Sequence, residues 1–163
     1  MDQGFRSLLD AIAAAVGDVP GDVADEHRRW HLYERAIVAS AGLDPLQRAV
    51  AGEPDRALAT TVVLRMLERV PDGEQAGWIE RLQPADRATA ERRAGEIRTL
   101  RRAGEGELTA AEAAGLIGTW SDWLQLRLAG QSTDPELLAI LAALGRTRRI
   151  RNTATAVLKA LSR

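Results

Sequence analysis

The chain has 163 residues, 45% of them hydrophobic, with 22 Lys and Arg against 23 Asp and Glu for a formal charge of −1. That length predicts one domain with a sizeable core, and the balanced charge excludes a uniformly basic nucleic-acid binder or an acidic tail. Aromatics at 4%, 14 Gly, 6 Pro and no Cys exclude an aromatic-rich β-sandwich, a low-complexity chain, disulfides, thiolate catalysis and cysteine-based metal centres.

Helical periodicity runs through the sequence, and no segment alternates strictly between hairpin turn signals. The first predicted helix covers about residues 4–16, with Phe5, Leu8, Leu9, Ile12 and Val16 on one stripe. Gly17-Asp18-Val19-Pro20-Gly21 breaks it. A second covers about 22–41, with Gly42 placed to end it in a left-handed conformation. Asp44-Pro45 reads as the N-cap and first-turn proline of a short helix over 44–51. A longer one follows over 54–70, and a short one over 74–82 carries Trp78, Ile79 and Leu82.

Pro84 opens a long polar helix over 84–103, with expected i,i+4 pairs Arg87/Glu91 and Arg92/Glu96. Gly104-Glu105-Gly106 breaks the chain. Thr109 and Glu112 have capping-box spacing, opening a helix over 109–130. Asp134-Pro135 starts a helix over 135–144, Gly145 ends it, and a last helix spans 147–162. The N-terminus lacks a basic segment before an apolar run, and no stretch suits a membrane span, so a cytoplasmic protein without membrane contact is expected.

Long and short helices alternate, and some starts recur. Pro54-Asp55-Arg56 and Pro84-Ala85-Asp86-Arg87 begin helices one period apart, and Ala41-Gly42 followed by Asp44-Pro45 is echoed by Ala129-Gly130 followed by Asp134-Pro135. Helix pairs of this length bury their apolar faces by stacking. The expected architecture is therefore all-α, eight to nine helices in one domain, with residues 1–21 as an N-terminal capping helix and 22–163 as repeats. Ile150-Arg151-x-x-Ala154-x-x-x-Leu158 and Asp134-Pro135-Glu136-Leu137-Leu138 resemble the two helices of a HEAT repeat. The resemblance covers residues 22–162 in rhythm and only about the last 30 closely, and it departs at 104–108. It implies a right-handed helical stack whose concave face binds partners, and no catalytic residue.

Few residues suggest chemistry. His27 and His31 lie four apart, a spacing used by helical metal sites, with Glu34 as a third ligand. The motif lacks a metalloprotease glutamate, and Arg28 and Arg29 would repel a cation, so paired or solvated histidines are expected rather than a metal site. Trp120 lies on the stripe of its predicted helix and is expected in the core. Trp123, beside Asp122, is the best candidate for a partly exposed aromatic. Trp-Ser-Asp-Trp also invites comparison with HEAT-like DNA glycosylases, a third and weaker reading. There is no nucleophile constellation and no phosphate-binding glycine motif, and no cofactor is expected.

Charge is laid out unevenly. Residues 1–136 carry 16 basic and 23 acidic groups, whereas after Glu136 there are six basic residues and no acid. Arg146, Arg148, Arg149 and Arg151 form the main cluster, and Arg92, Arg93, Arg101 and Arg102 a second. Residues 1–26 carry Arg6 against Asp2, Asp10, Asp18, Asp22, Asp25 and Glu26. The expected function is a non-catalytic protein-interaction module or adaptor, using its concave or basic C-terminal surface on an acidic partner. The alternatives are nucleic-acid phosphates on the same arginines, self-association of acidic start with basic end, and a solvated face.

Overall fold

Side-chain caps decide where most of the helices begin. The computed structural model describes residues 3–19 and 21–163. Met1, Asp2 and Pro20 lie outside them, and with them one acid of the N-terminal cluster and the proline of the first predicted break. Among the described residues every regular element is helical. They fall into two compact units, Met1–Ala94 and Gly95–Arg163.

In the first unit, α1 (Gln3–Ala15) ends at Gly17, whose φ of 63° is left-handed. The second helix, α2 (Glu26–Ala39), starts later than predicted. Asp22 accepts from the backbone of Ala24 in a tight turn, and Asp25 is the cap, accepting from the N–H groups of His27 and Arg28. It also ends earlier: Ser40 takes the left-handed conformation at φ 51°, with the N–H of Ala41 returning to the carbonyl of Ala36. Gly42, predicted to end α2, instead heads α3 (Leu43–Gly52) at φ 66°. A Cβ there would lie 3.1 Å from that of Ala15, so both conformation and space call for glycine. Asp44 is therefore a first-turn acid rather than the cap, and it pairs with Arg48 one turn on.

Asp55 caps α4 (Arg56–Leu67) through the N–H groups of Ala57 and Leu58. After α5 (Asp72–Ile79), the long helix α6 (Pro84–Gly104) crosses into the second unit. Helix α1 packs against α2 and α3, and α4 against α2, α3 and α5. Their stripes close a core that includes Leu9, Ile12, Tyr33, Leu46, Met66 and Leu67, each almost wholly out of water. Arg87, expected to pair with Glu91, donates to the carbonyls of Leu82 and Glu80 instead, tying the turn before α6 to its first residues.

The second unit corrects the largest helix expectation. Residues 109–130 do not form one helix: α7 (Ala110–Leu116) tightens into a 3-10 turn at Ile117–Thr119, and the chain restarts as α8 (Asp122–Gln131). Trp120 is extended at ψ 143°, and Ser121 caps α8 by accepting from the N–H of Leu124. Trp120 is in the core as expected, but it lies between helices rather than on a helical stripe. The capping box forms by half. Thr109 accepts from the N–H of Glu112, but the Glu112 carboxylate binds Arg102 rather than returning to the cap. Helices α9 (Pro135–Leu144) and α10 (Arg148–Leu161) follow at nearly the predicted bounds. Helix α10 packs against α8 and α9, around Leu124, Leu128, Leu138, Leu141, Ile150 and Ala154.

Candidate functional site

The basic cluster of the last helix divides into two kinds of arginine. Helix α9 ends at Gly145, and Thr147 caps α10 by accepting from the N–H of Ile150. The short turn between them brings four arginines into six residues. Arg146 is structural. Its backbone N–H donates to Oε1 of Gln125 at 2.9 Å, and its guanidinium donates to the carbonyls of Trp120 at 2.7 Å and Gly118 at 3.2 Å. It also reaches the Asp122 carboxylate at 3.3 Å.

Gln125 is the hub beneath it, 1% exposed. Its amide nitrogen donates to the carbonyls of Ile117 and Trp120, so both ends of the side chain are satisfied out of water. Arg151 is structural as well, donating to the carbonyl of Gly145 at 2.6 Å and so capping the end of α9. Arg146 and Arg151 thus hold the turn together. Arg148 and Arg149 occupy the first turn of α10, exposed, outside these bonds, with no acid on that helix. Leu144, 58% exposed, stands beside the same turn.

The arginines of the second cluster also differ in their surroundings. Arg102 is held by Glu112 at 3.0 and 3.2 Å and by the carbonyl of Glu107, and its hydrogen bonds, then its charge, keep the Glu112 carboxyl below the ordinary range. Arg93 and Arg101 are half-buried, and Arg92 is exposed.

The histidine set does not assemble with its predicted third member. His27 and His31 border one cleft, with Asp18, Val19, Asp25 and Arg28, whereas Glu34 borders another, with Trp30, Val38, Arg65 and Arg69. His27 is 3.7 Å from Asp25 and 3.8 Å from Glu26 and largely solvated. Among the described residues no three His, Cys, Asp or Glu side chains come close enough to hold a metal ion. Trp123 is half-buried, with the Arg127 guanidinium 5.5 Å from its ring centroid. Asp122, the carboxylate of Trp-Ser-Asp-Trp, is bound by Arg146.

Sequence reasoning missed one buried polar constellation altogether. Arg29 and Glu53, with side chains 5% and 0% exposed, meet at 2.8 Å. Tyr33 donates to the same carboxylate at 2.8 Å, Asp55 donates its backbone N–H to it, and Arg29 also donates to the carbonyl of Val23. Burial opposes the Arg29 charge, but Glu53 outweighs it and holds the guanidinium above its ordinary value. Burial first, then Glu53, push the Tyr33 phenol well above its usual value. Asp55 is held below the carboxylate range by the N–H of Leu58 and then by a hydrogen bond with Glu26. The spacing of Arg29 and Tyr33, four apart on α2, was the available signal.

No family model matches the chain, and no solved structure matches it. A stretch of 41 residues, 24% of the chain, is 49% identical to part of a cyanuric acid amidohydrolase from Ectopseudomonas oleovorans (strain CECT 5344). The chain covers 11% of that protein's length. Among the described residues no helix is long and apolar enough to cross a membrane.

Proposed function

We propose that this chain is a non-catalytic, HEAT-like helical module that docks an acidic protein surface on the exposed arginines at the start of α10. The supporting observation is the contrast within the cluster. Arg146 and Arg151 fix the α9–α10 turn, and Arg148 and Arg149 stand out from it into solvent. A rigid turn loses little freedom when a partner arrives, so more of the interaction appears as affinity. The recurrence of Asp-Arg at helix starts agrees with the repeat reading. Arg56 donates to Asp86, thirty residues on, at 2.8 and 2.9 Å, from the first residue of α4 to the first turn of α6.

The test is binding of poly-glutamate and of duplex DNA and RNA at two salt concentrations, for the native chain and for Arg148→Glu/Arg149→Glu. The expected result is salt-sensitive capture of the acidic polypeptide that the double variant loses. Equal or tighter binding to nucleic acid, with affinity falling linearly in log salt, would move the reading to phosphate-backbone recognition on the same arginines. No binding to either probe would discard both.

A further inference from the structure

Two exposed apolar side chains stand in opposite electrostatic surroundings. Val19, 82% exposed, borders a cleft of about 380 Å³ lined also by Leu32, Asp18, Asp25, His27, Arg28 and His31, with Asp18 ion-paired to Arg35. Asp22, on the same loop, is exposed. Residues 18–28 hold four acids against Arg28 alone. Leu144, 58% exposed, ends α9 beside Arg148 and Arg149. One is a hollow on an acidic loop with an apolar lip, the other an apolar knob four and five positions before two exposed arginines.

We infer that the knob of one copy of this chain docks in the hollow of a second copy, with Leu144 seated against Val19 and Leu32, and Arg148 and Arg149 facing Asp22 and Asp25. This rests on the reading of the α10 start as a docking surface and names its partner. The hollow is lined mainly by charged and polar side chains, unlike the largely apolar pockets that hold small molecules. A single apolar side chain accompanied by opposite charge fits that lining better. The knob is preorganised. The Gly145 N–H donates to the Leu141 carbonyl, and Arg146 and Arg151 pin the turn that follows Leu144. Because knob and hollow are different surfaces and every copy carries both, the contact is heterologous. It joins unlike surfaces of two copies.

The experiment is sedimentation velocity of the full chain over a concentration series, at about 0.02 M and about 0.3 M NaCl, salt concentrations between which charge screening shortens severalfold. The native chain is expected to gain mass with concentration at low salt and to lose that gain at high salt. Arg148→Glu/Arg149→Glu spoils the knob, and Val19→Arg/Asp22→Arg spoils the hollow. Each is expected to stay monomeric alone, with the helical circular dichroism of the native chain. Mixed in equal amounts they are expected to form a dimer and stop there, because each keeps one intact half. A native chain that is monomeric throughout, an assembly that survives either variant, or a mixture that stays monomeric would overturn the inference. A monomer that still captures poly-glutamate through Arg148 and Arg149 would overturn self-docking alone. Loss of that capture as well would overturn the proposed function with it.

Discussion

Arg29 grips Glu53 with its Nε shared between both carboxylate oxygens at 3.1 Å and a terminal nitrogen on Oε1 at 2.8 Å, joining α2 to the turn between α3 and α4. Both side chains are buried, so each depends on the other to remain charged there. Breaking the pair from one side leaves a buried charge without its counterion. Arg29→Met is expected to cost about 3–5 kcal/mol of stability. A double replacement by apolar side chains of similar volume, Arg29→Met/Glu53→Leu, is expected to recover much of that loss. Urea unfolding of the three proteins reads both effects.

Tyr33 is the only tyrosine in the chain, so its ionisation can be followed without overlap from another. Its phenol is pushed upward by burial and then by Glu53. A raised folded value means the neutral form is favoured by folding. The associated stability is complete below the ordinary tyrosine value, near pH 10, and is lost as pH rises towards the folded value. Phenolate absorbance near 295 nm is expected to stay flat through about pH 10 in the native protein and to rise only with loss of helical signal. A reversible rise in the folded chain at ordinary tyrosine pH would contradict the buried network.

On the acid side the carboxyls of Asp86 and Glu112 are held low, by Arg56 and Arg102 respectively. Both are lowered in the folded state, so their contribution is present above the ordinary carboxylate range and falls away as pH drops through it. Asp86→Asn is expected to match the native chain at low pH, where Asp86 is protonated, and to lie slightly below it at neutral pH, the acid limb flattening by the same small amount because exposed pairs are well screened. Thermal melts from pH 7 down to about pH 3 test this.

Gln125 satisfies two carbonyls and one N–H in the dry centre of the second unit. Gln125→Leu would leave the Arg146 N–H without its partner, while the Trp120 carbonyl keeps Arg146 and the Ile117 carbonyl keeps the Trp120 N–H, so the cost is expected at about 1–3 kcal/mol. Arg146→Ala is expected to destabilise through the same knot, whereas Arg148→Ala is expected to fall within about 0.5 kcal/mol of the native chain. Equal effects at 146 and 148 would contradict the division of the arginines into structural and exposed.

Two glycines should respond in opposite directions to alanine. At Gly145 a Cβ would lie 2.5 Å from the Leu141 carbonyl and 2.7 Å from the Ile150 side chain. Gly145→Ala is expected to cost about 1–3 kcal/mol, because the α9–α10 turn must open. At Gly73, inside α5, a Cβ meets nothing within 4 Å. Gly73→Ala is expected to stabilise by about 0.4–1 kcal/mol by restricting the unfolded chain. Denaturation midpoints measured side by side distinguish the two.

The amino-acid sequence by itself determined that this chain is helical and, within a few residues, where most helices lie, because apolar spacing and caps such as Asp55, Thr109 and Asp134 act over one or two turns. It also carried the charge asymmetry. Tertiary structure decided the rest. Periodicity runs unbroken through residues 109–130, yet Trp120 leaves the helix, where its ring is buried and its carbonyl accepts from both Gln125 and Arg146. Glu34 follows His31 by three residues but borders a different cleft, because α2 presents the two side chains to different neighbours. Four arginines within six residues look equivalent as a charge run. Which of them are locked and which face water depends on carbonyls supplied by residues 118, 120 and 145, and only the folded chain brings the first two to Arg146.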